Sequence, residues 1–198
     1  MWFGGNVDFE NDFVTKYDCP CIGYDGDDST YQKTLDAVKS DKIAVIKRNI
    51  GINENTKETT LKSIISGHNN IFLTMDIEGY NFNMGEWSWL NNLSIDELNK
   101  FRQIVIEFHF PNTGKHWEQL RKLSQTHYLI HFHTNNNNNV IYRIDGKMIP
   151  GVFECTYVRR DLLNNPPLNK TPLPREGDHC NVKTNMDYSF NCPPWVHS

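Results

Sequence analysis

The sequence contains Phe72-Leu73-Thr74-Met75-Asp76-Ile77-Glu78-Gly79, an apolar run that stops at two carboxylates and a glycine. An apolar run of this length predicts a buried parallel strand that ends at the acids. Ligands bind outside the carboxyl ends of strands in open α/β sheets, so Asp76 is placed to contact a substrate or a cofactor. A strand-end acid that only caps the next turn is the alternative interpretation.

The rest of the chain alternates between strand and helix patterns. Helical spacing occurs at residues 7–16, 31–39, 60–66, 94–100 and 116–125, the fourth opening with a capping box in Ser94 and Glu97. Short runs rich in β-branched or aromatic residues predict strands at residues 21–24, 43–46, 71–75, 104–110, 128–132 and 152–158. This order predicts an α/β fold with a mainly parallel sheet and helices on both of its faces.

The chain length of 198 residues favours one domain, which we place at residues 1–163. Residues 164–198 are rich in proline and asparagine and predict an extended tail packed on that domain. Asn135 to Asn139 predict a loop. A glycine turn follows Met1-Trp2-Phe3 at once, so the first strand is almost cut off and the chain is expected to be a domain of a longer protein.

Charge and composition exclude several function classes. The net charge is −4 and the pI is about 6.0, which gives no basic field to hold nucleic acid phosphates. No segment predicts a membrane span or a signal peptide, and the five cysteines form no CxxC pair. We therefore expect a soluble cytoplasmic protein with free thiols, without nucleic acid or membrane partners.

Two features near the N-terminus predict a cofactor site. Gly4 and Gly5 form a turn before the first helix, where backbone N–H groups are available to a ligand. Asp25 ends the strand about twenty residues further on, at the distance where an acid reaches ribose hydroxyls. The spacing departs from GxGxxG and there is no GxxxxGK[ST] loop, so S-adenosylmethionine fits better than NAD or ATP. A plain acidic turn at residues 25–28 is the alternative.

Later strands carry acids and bases on one side. Alternation along a strand places Glu107 and His109 on one face, and it groups His131, His133 and Asn135 in the same way. These groups are expected to converge near Asp76. A histidine among His109, His131 and His133 can then take a proton from a hydroxyl. Alternatively, a divalent ion, Mg or Mn, is held by carboxylate, imidazole or amide groups drawn from Asp76, Glu107, His109, His133 and Asn135.

The motifs resemble, in order, those of FkbM-like methyltransferases. Phe3-Gly4-Gly5 with Phe9-Glu10 resembles the family's glycine turn, Gly23-Tyr24-Asp25 its ribose acid, and residues 73–79 its "DIEG" motif. The segments 107–109, 131–136 and 153–158 resemble its later strands. Tyr80-Asn81-Phe82 departs from the family's usual Ala-Glu-Trp.

The resemblance implies a class I, Rossmann-like methyltransferase domain that uses S-adenosylmethionine and acts on a hydroxyl of a sugar or glycan. It implies cofactor contacts by Phe3, Gly4, Gly5, Glu10, Asp25 and Asp76, and an acceptor site with Asp76, Glu107, His109 and His131 in catalytic roles. A narrower resemblance, to methyltransferase domains of chlorovirus multidomain glycosyltransferases, implies a deoxyhexose acceptor such as rhamnose and a location in the host cytoplasm.

Two other function classes stay open on the sequence alone. A nucleotide-sugar or NAD enzyme of the same architecture would also use Asp25. A non-catalytic glycan-binding module would use the flat faces of Trp87, Trp89 and Trp117, although tryptophans at such positions are more often part of the core.

Overall fold

The computed structural model describes residues 6–78, 85–111, 113–137 and 140–197. The chain divides into two compact units, Met1–Ile64 and Ile65–Ser198. Both units combine helices with strands, which confirms the prediction of a mixed α/β protein. No helix in the described ranges combines the length and the hydrophobicity needed to cross a membrane.

The first unit is built around short parallel strand pairs. Its elements are α1 (Asp8–Tyr17), β1 (Cys21–Tyr24), α2 (Asp28–Ala37), β2 (Ile43–Ile46), β3 (Asn49–Gly51), β4 (Glu58–Thr60) and α3 (Leu61–Ile64). Strand β1 pairs with β2 and strand β3 with β4, both in parallel. The Asn11 side chain joins α1 to the end of α2, because it donates to Ala37 O and accepts from the Lys39 N–H.

The second unit contains the longer strands. Its elements are β5 (Ile71–Met75), α4 (Gly85–Asn92), α5 (Ile95–Leu98), β6 (Phe101–His109), α6 (Gly114–Thr126), β7 (His127–Thr134), β8 (Ile141–Ile144), β9 (Lys147–Pro150), β10 (Val152–Arg159) and a 3-10 turn (Arg160–Leu162). The predicted capping box is confirmed: Ser94 Oγ accepts the Glu97 N–H, and Glu97 Oε2 accepts the Ser94 N–H.

Among the described residues, a four-stranded sheet has the order β5-β6-β10-β7. The pairing of β5 with β6 is parallel, as predicted, whereas β10 runs antiparallel to both β6 and β7. The sheet is therefore mixed, and the prediction of a mainly parallel sheet is corrected for this unit. The physical reason is that a hairpin of β8 and β9 precedes β10, whereas a parallel return needs a crossover, usually a helix.

The two faces of this sheet differ in character. Ile104, Ile106 and Phe108 alternate along β6 and are at most 1% exposed, so they form the apolar side with Phe153 of β10. The opposite side carries Glu107 on β6, Glu154 on β10 and His133 on β7, which are direct cross-strand neighbours. One face of the sheet therefore carries the core and the other carries ionisable groups.

The predicted tail packs on the second unit. After Leu162 the described residues form turns and bends, with an isolated bridge between Leu173 and Phe190. Trp195 stacks on Phe132 of β7 with ring centroids 3.8 Å apart, and both side chains are buried. The Asn136 side chain binds the tail backbone at Val182 and at Asn185.

Candidate functional site

The carboxyl ends of β5 and β6 bring the predicted acids and imidazole together. Met75 pairs with Ile106, which places Asp76 level with Glu107, and His109 is the last residue of β6. His109 Nε2 lies 3.5 Å from Glu107 Oε1 and 3.9 Å from Asp76 Oδ1. The sequence-based expectation that these three residues converge is met in the second unit.

Glu78 joins the same group, although we did not predict it as a site residue. Its Oε2 lies 3.4 Å from His109 Nε2. The backbone of Glu78 has a φ of 49°, in the left-handed region that a residue other than glycine seldom adopts. Such a conformation is costly and persists only where the surrounding structure imposes it, which is common at functional sites.

His109 is held from its other side by Glu86, at the start of α4. Glu86 is 0% exposed, and its Oε1 lies 3.4 Å from His109 Nδ1 and accepts the His109 backbone N–H at 2.6 Å. Trp87 Nε1 donates to His109 O at 2.5 Å. These contacts fix the imidazole with Nδ1 toward Glu86 and Nε2 toward the carboxylates of Asp76, Glu78 and Glu107.

The environment raises the pKa of two acids in this group. Burial, reinforced by the charge of Asp76, raises the pKa of Glu107 to about 7, although the hydrogen bond from Asn135 Nδ2 (2.9 Å) acts in the opposite direction. Burial also raises the pKa of Asp76, and the charge of Glu78 adds to this effect. Glu107 therefore exchanges its proton near neutral pH, which a general base needs.

The His109 imidazole carries a positive charge, unlike the acids around it. Burial lowers the pKa of His109, but the interaction with Glu86 and the charges of Glu78 and Glu107 outweigh it and raise the pKa to about 9. His109 is therefore a cation at neutral pH. A cationic imidazole cannot accept a proton, so this arrangement favours Glu107 over His109 as the base.

These two pKa values predict that the free energy of unfolding decreases as pH rises. The pKa of Glu107 is raised from 4.5 to about 7, so the contribution of Glu107 to stability is lost as pH rises across that range. The pKa of His109 is raised from 6.5 to about 9, so the contribution of His109 is lost as pH rises further. With EDTA present, we expect the melting temperature to drop between about pH 4.5 and about pH 9, because the folded state binds more protons than the unfolded state over this range.

The variant His109→Gln should flatten the upper part of this pH profile, and Glu107→Gln its lower part. His68→Gln, at an exposed position in the same unit, is the control and should keep the wild-type slope. A wild-type melting temperature that stays constant over this range contradicts the prediction.

His131 and His133 of β7 face other partners, whereas Asn135, just after this strand, contacts Glu107. His131 Nε2 lies 3.4 Å from Asp178 Oδ1, and His133 Nε2 lies 3.3 Å from Asp187 Oδ2, both acids belonging to the tail. Asn135 donates to Glu107, and its Oδ1 accepts the Asn137 N–H, so both ends of its amide are engaged. His131 is thus positioned by the tail, and Asn135 acts on the site through Glu107.

Some of the predicted metal ligands lie close together. Among the described residues, Asp76, Glu78 and His109 can each offer one ligand atom within 4.8 Å of the others. Of the five residues that we predicted as candidate ligands, this group includes Asp76 and His109. Glu107 lies next to this group, since its Oε1 is 3.5 Å from His109 Nε2. Asn135 contacts Glu107, and His133 contacts Asp187.

The predicted cofactor residues other than Asp76 belong to the first unit. Asp25 is 3% exposed; its Oδ1 accepts the Asp27 N–H, whereas its buried Oδ2 has no hydrogen-bond partner within the described ranges. Glu10 is 4% exposed, and burial raises its pKa. Asp27 caps α2 by accepting the Ser29 and Thr30 N–H groups, so the acidic turn has a structural part as well. Phe3, Gly4, Gly5 and the segment 80–82 lie outside the described residues.

The tryptophans after the acidic motif belong to the core. Trp87 is 0% exposed and Trp89 is 2% exposed, and Trp87 stacks on Phe108. Trp117 on α6 is half-buried beside Arg121 and Lys147. The interpretation of Trp87 and Trp89 as core residues is confirmed, and these two side chains offer no flat face to a sugar.

Comparison with known proteins gives no family. No protein-family model matches the chain, and no curated protein is significantly similar to it. The resemblance to FkbM-like methyltransferases therefore stays a prediction.

The sequence analysis did not predict four acids of the second unit that contact its histidines: Glu78, Glu86, Asp178 and Asp187. The signal for Glu78 was present, since it stands two residues after Asp76 in a motif already singled out. Glu86 gave no such signal, because its helix α4 was not predicted. Asp178 and Asp187 lie in the tail, far in sequence from the strands that they contact.

Proposed function

We propose that this protein is an S-adenosylmethionine-dependent O-methyltransferase that acts on a hydroxyl of a sugar or glycan. The observation that carries the proposal is the convergence of Asp76, Glu107 and His109 at the carboxyl ends of two parallel strands. When bound, S-adenosylmethionine supplies a methyl group on a sulfonium, which the acceptor oxygen takes as the carbon–sulfur bond breaks and the hydroxyl proton leaves.

We assign removal of that proton to Glu107. Its carboxylate is oriented by Asn135 and lies beside the cationic imidazole of His109, which stabilises negative charge on the carboxylate and on the acceptor oxygen. Glu86 fixes the imidazole from behind, and Asp76 is placed to accept a hydrogen bond from the acceptor. Methyl transfer needs positioning and one proton acceptor, and this set provides both.

We assign the ribose of the cofactor to Asp25, as the resemblance implies. The buried Oδ2 of Asp25 accepts no hydrogen bond from the described residues, and a buried carboxylate oxygen without a partner is rare in folded proteins. A ribose hydroxyl would satisfy this atom. The residues present thus fit an adenosine-type cofactor.

The variant Asp25→Asn should weaken binding of S-adenosylmethionine about tenfold to a hundredfold, because a hydrogen bond to a charged group contributes about 1.5–3 kcal/mol. Calorimetric titration measures this loss directly. Asp36→Asn, an exposed change on α2, is the control and should bind as wild type does. Equal affinity in Asp25→Asn and wild type would refute the ribose assignment.

A thermal-shift panel tests the function as a whole. S-adenosylmethionine and its demethylated product should raise the melting temperature, whereas NAD and nucleotide sugars should not. A shift with NAD or a nucleotide sugar alone would point to the rival enzyme classes, and a shift with glycan alone to a binding module. Radiolabelled methyl transfer to rhamnose-containing and other glycans then identifies the acceptor.

A further inference from the structure

We propose that Asp76, Glu78 and His109 form a binding site for one divalent cation of the Mn²⁺ type. One atom from each residue lies within 4.8 Å of the others, and the three come from the ends of the neighbouring strands β5 and β6. The role of this cation in catalysis rests on the proposed function, whereas its binding does not.

The distances suit a bound ion better than direct contacts. His109 Nε2 is 3.4 Å from Glu78 and 3.9 Å from Asp76, and neither contact is a hydrogen bond. Ligands bound at about 2.1 Å to an octahedral ion lie about 3.0 Å apart when adjacent and about 4.2 Å apart when opposite. Both of these separations from Nε2 fall within that range.

The orientation of His109 is an independent indication. The imidazole is 4% exposed, and its Nε2 points into the acids without making a hydrogen bond to any described residue. Its Nδ1 faces the buried carboxylate of Glu86 at 3.4 Å. A carboxylate behind the distal nitrogen is the usual support of a metal-binding histidine, because it fixes the ring and makes the ligating nitrogen more basic.

Asp76 adds a third observation. Its Oδ1, the atom nearest to His109, is buried and accepts no hydrogen bond from the described residues. Leaving a buried carboxylate oxygen without a partner is costly. Coordination of a cation would satisfy this oxygen.

The ligand set favours Mn²⁺ over Mg²⁺. Two carboxylates and one imidazole, without cysteine, suit Mn²⁺, because it accepts both oxygen and nitrogen ligands, whereas Mg²⁺ prefers oxygen ligands and keeps more of its water. Binding of the ion would displace the Nε2 proton of His109, because a ligating imidazole is neutral, and the ion would then supply the positive charge beside Glu107. In methyl transfer the ion would bind the acceptor hydroxyl, lower its pKa and orient it toward Glu107.

The test is calorimetric titration of the EDTA-treated, dialysed protein with MnCl₂, without cofactor or acceptor. We expect saturable binding of one ion with a Kd below about 1 mM. Asp76→Asn and Glu78→Gln should each weaken it at least about tenfold, because each removes a charged ligand. Asp178→Asn, which alters an imidazole–carboxylate pair of 3.4 Å outside the group, should bind as wild type does. Pulsed EPR of bound Mn²⁺ should detect one coupled nitrogen.

The absence of saturable binding, or equal binding by wild type and both ligand variants, would overturn the cation site. Failure of the methyltransferase proposal has a different signature, namely Mn²⁺ binding without any thermal shift from S-adenosylmethionine. Methyl transfer that continues at full rate in EDTA, by a protein that does not bind Mn²⁺, keeps the function and rejects the cation.

Discussion

Replacing Glu107 with glutamine should lower the turnover of methyl transfer by about 10²–10⁴-fold, the usual contribution of a general base. Glutamine keeps the size of the side chain and can still accept the hydrogen bond from Asn135, but it cannot take a proton. Binding of S-adenosylmethionine should persist, because the proposed ribose contact belongs to Asp25. Steady-state kinetics with a radiolabelled methyl group, together with calorimetry, measure the two effects separately.

The pH profile gives this prediction a second readout. In the wild type, kcat/KM should rise with pH through about 7, as Glu107 loses its proton. Asn135→Ala should move this rise to higher pH, because the Asn135 hydrogen bond lowers the pKa of Glu107. Glu118→Gln, on the exposed side of α6, is the control variant. Undiminished turnover in Glu107→Gln would exclude Glu107 as the base.

Replacing Glu86 with alanine should lower the free energy of unfolding by about 3–5 kcal/mol, the usual cost of leaving a buried charge without its partner. The variant removes the carboxylate beside His109 Nδ1 and also leaves the His109 N–H without its acceptor. For a chain of this size, such a loss corresponds to a melting temperature lower by about 6–20 °C. Urea unfolding followed by tryptophan fluorescence measures it, since Trp87 donates to His109 O.

The variant Glu86→Gln separates the loss of the charge from the loss of the hydrogen-bond acceptor. Glutamine retains an acceptor for the His109 N–H and loses only the charge, so its effect should be smaller than that of alanine. Glu118→Ala, at an exposed position, should change stability by about 0.5 kcal/mol at most. A Glu86→Ala variant as stable as Glu118→Ala would show that the buried pair contributes nothing to folding.

The strands that carry the site were predictable because their signal is local. The strands 21–24, 43–46 and 71–75 have the predicted bounds, since each is a short apolar run ended by polar or turn-forming residues. Parallel pairing of β5 and β6 then determines that Asp76 and His109 lie at one edge. Alternation along β6 placed Glu107 and His109 on the same face.

The parts that were missed depend on contacts distant in sequence. Helix α4 combines two tryptophans with polar residues, and its buried positions cover nearly every side, so it lacks the apolar stripe of a surface helix. The role of Glu86 follows from tertiary packing against His109, which lies 23 residues further along the chain. The tail acids Asp178 and Asp187 meet β7 across about fifty residues, and no local pattern encodes such pairs.

The position of β10 determines when the second unit can form during translation. Val152–Arg159 pairs with β6 on one side and with β7 on the other, although both strands precede it in the chain. Until these residues leave the ribosome, β6 and β7 each expose an unpaired edge, which invites association with other chains. Completion of the sheet must therefore await the synthesis of Val152–Arg159, and a nascent chain halted before Val152 lacks the strand that joins β6 to β7.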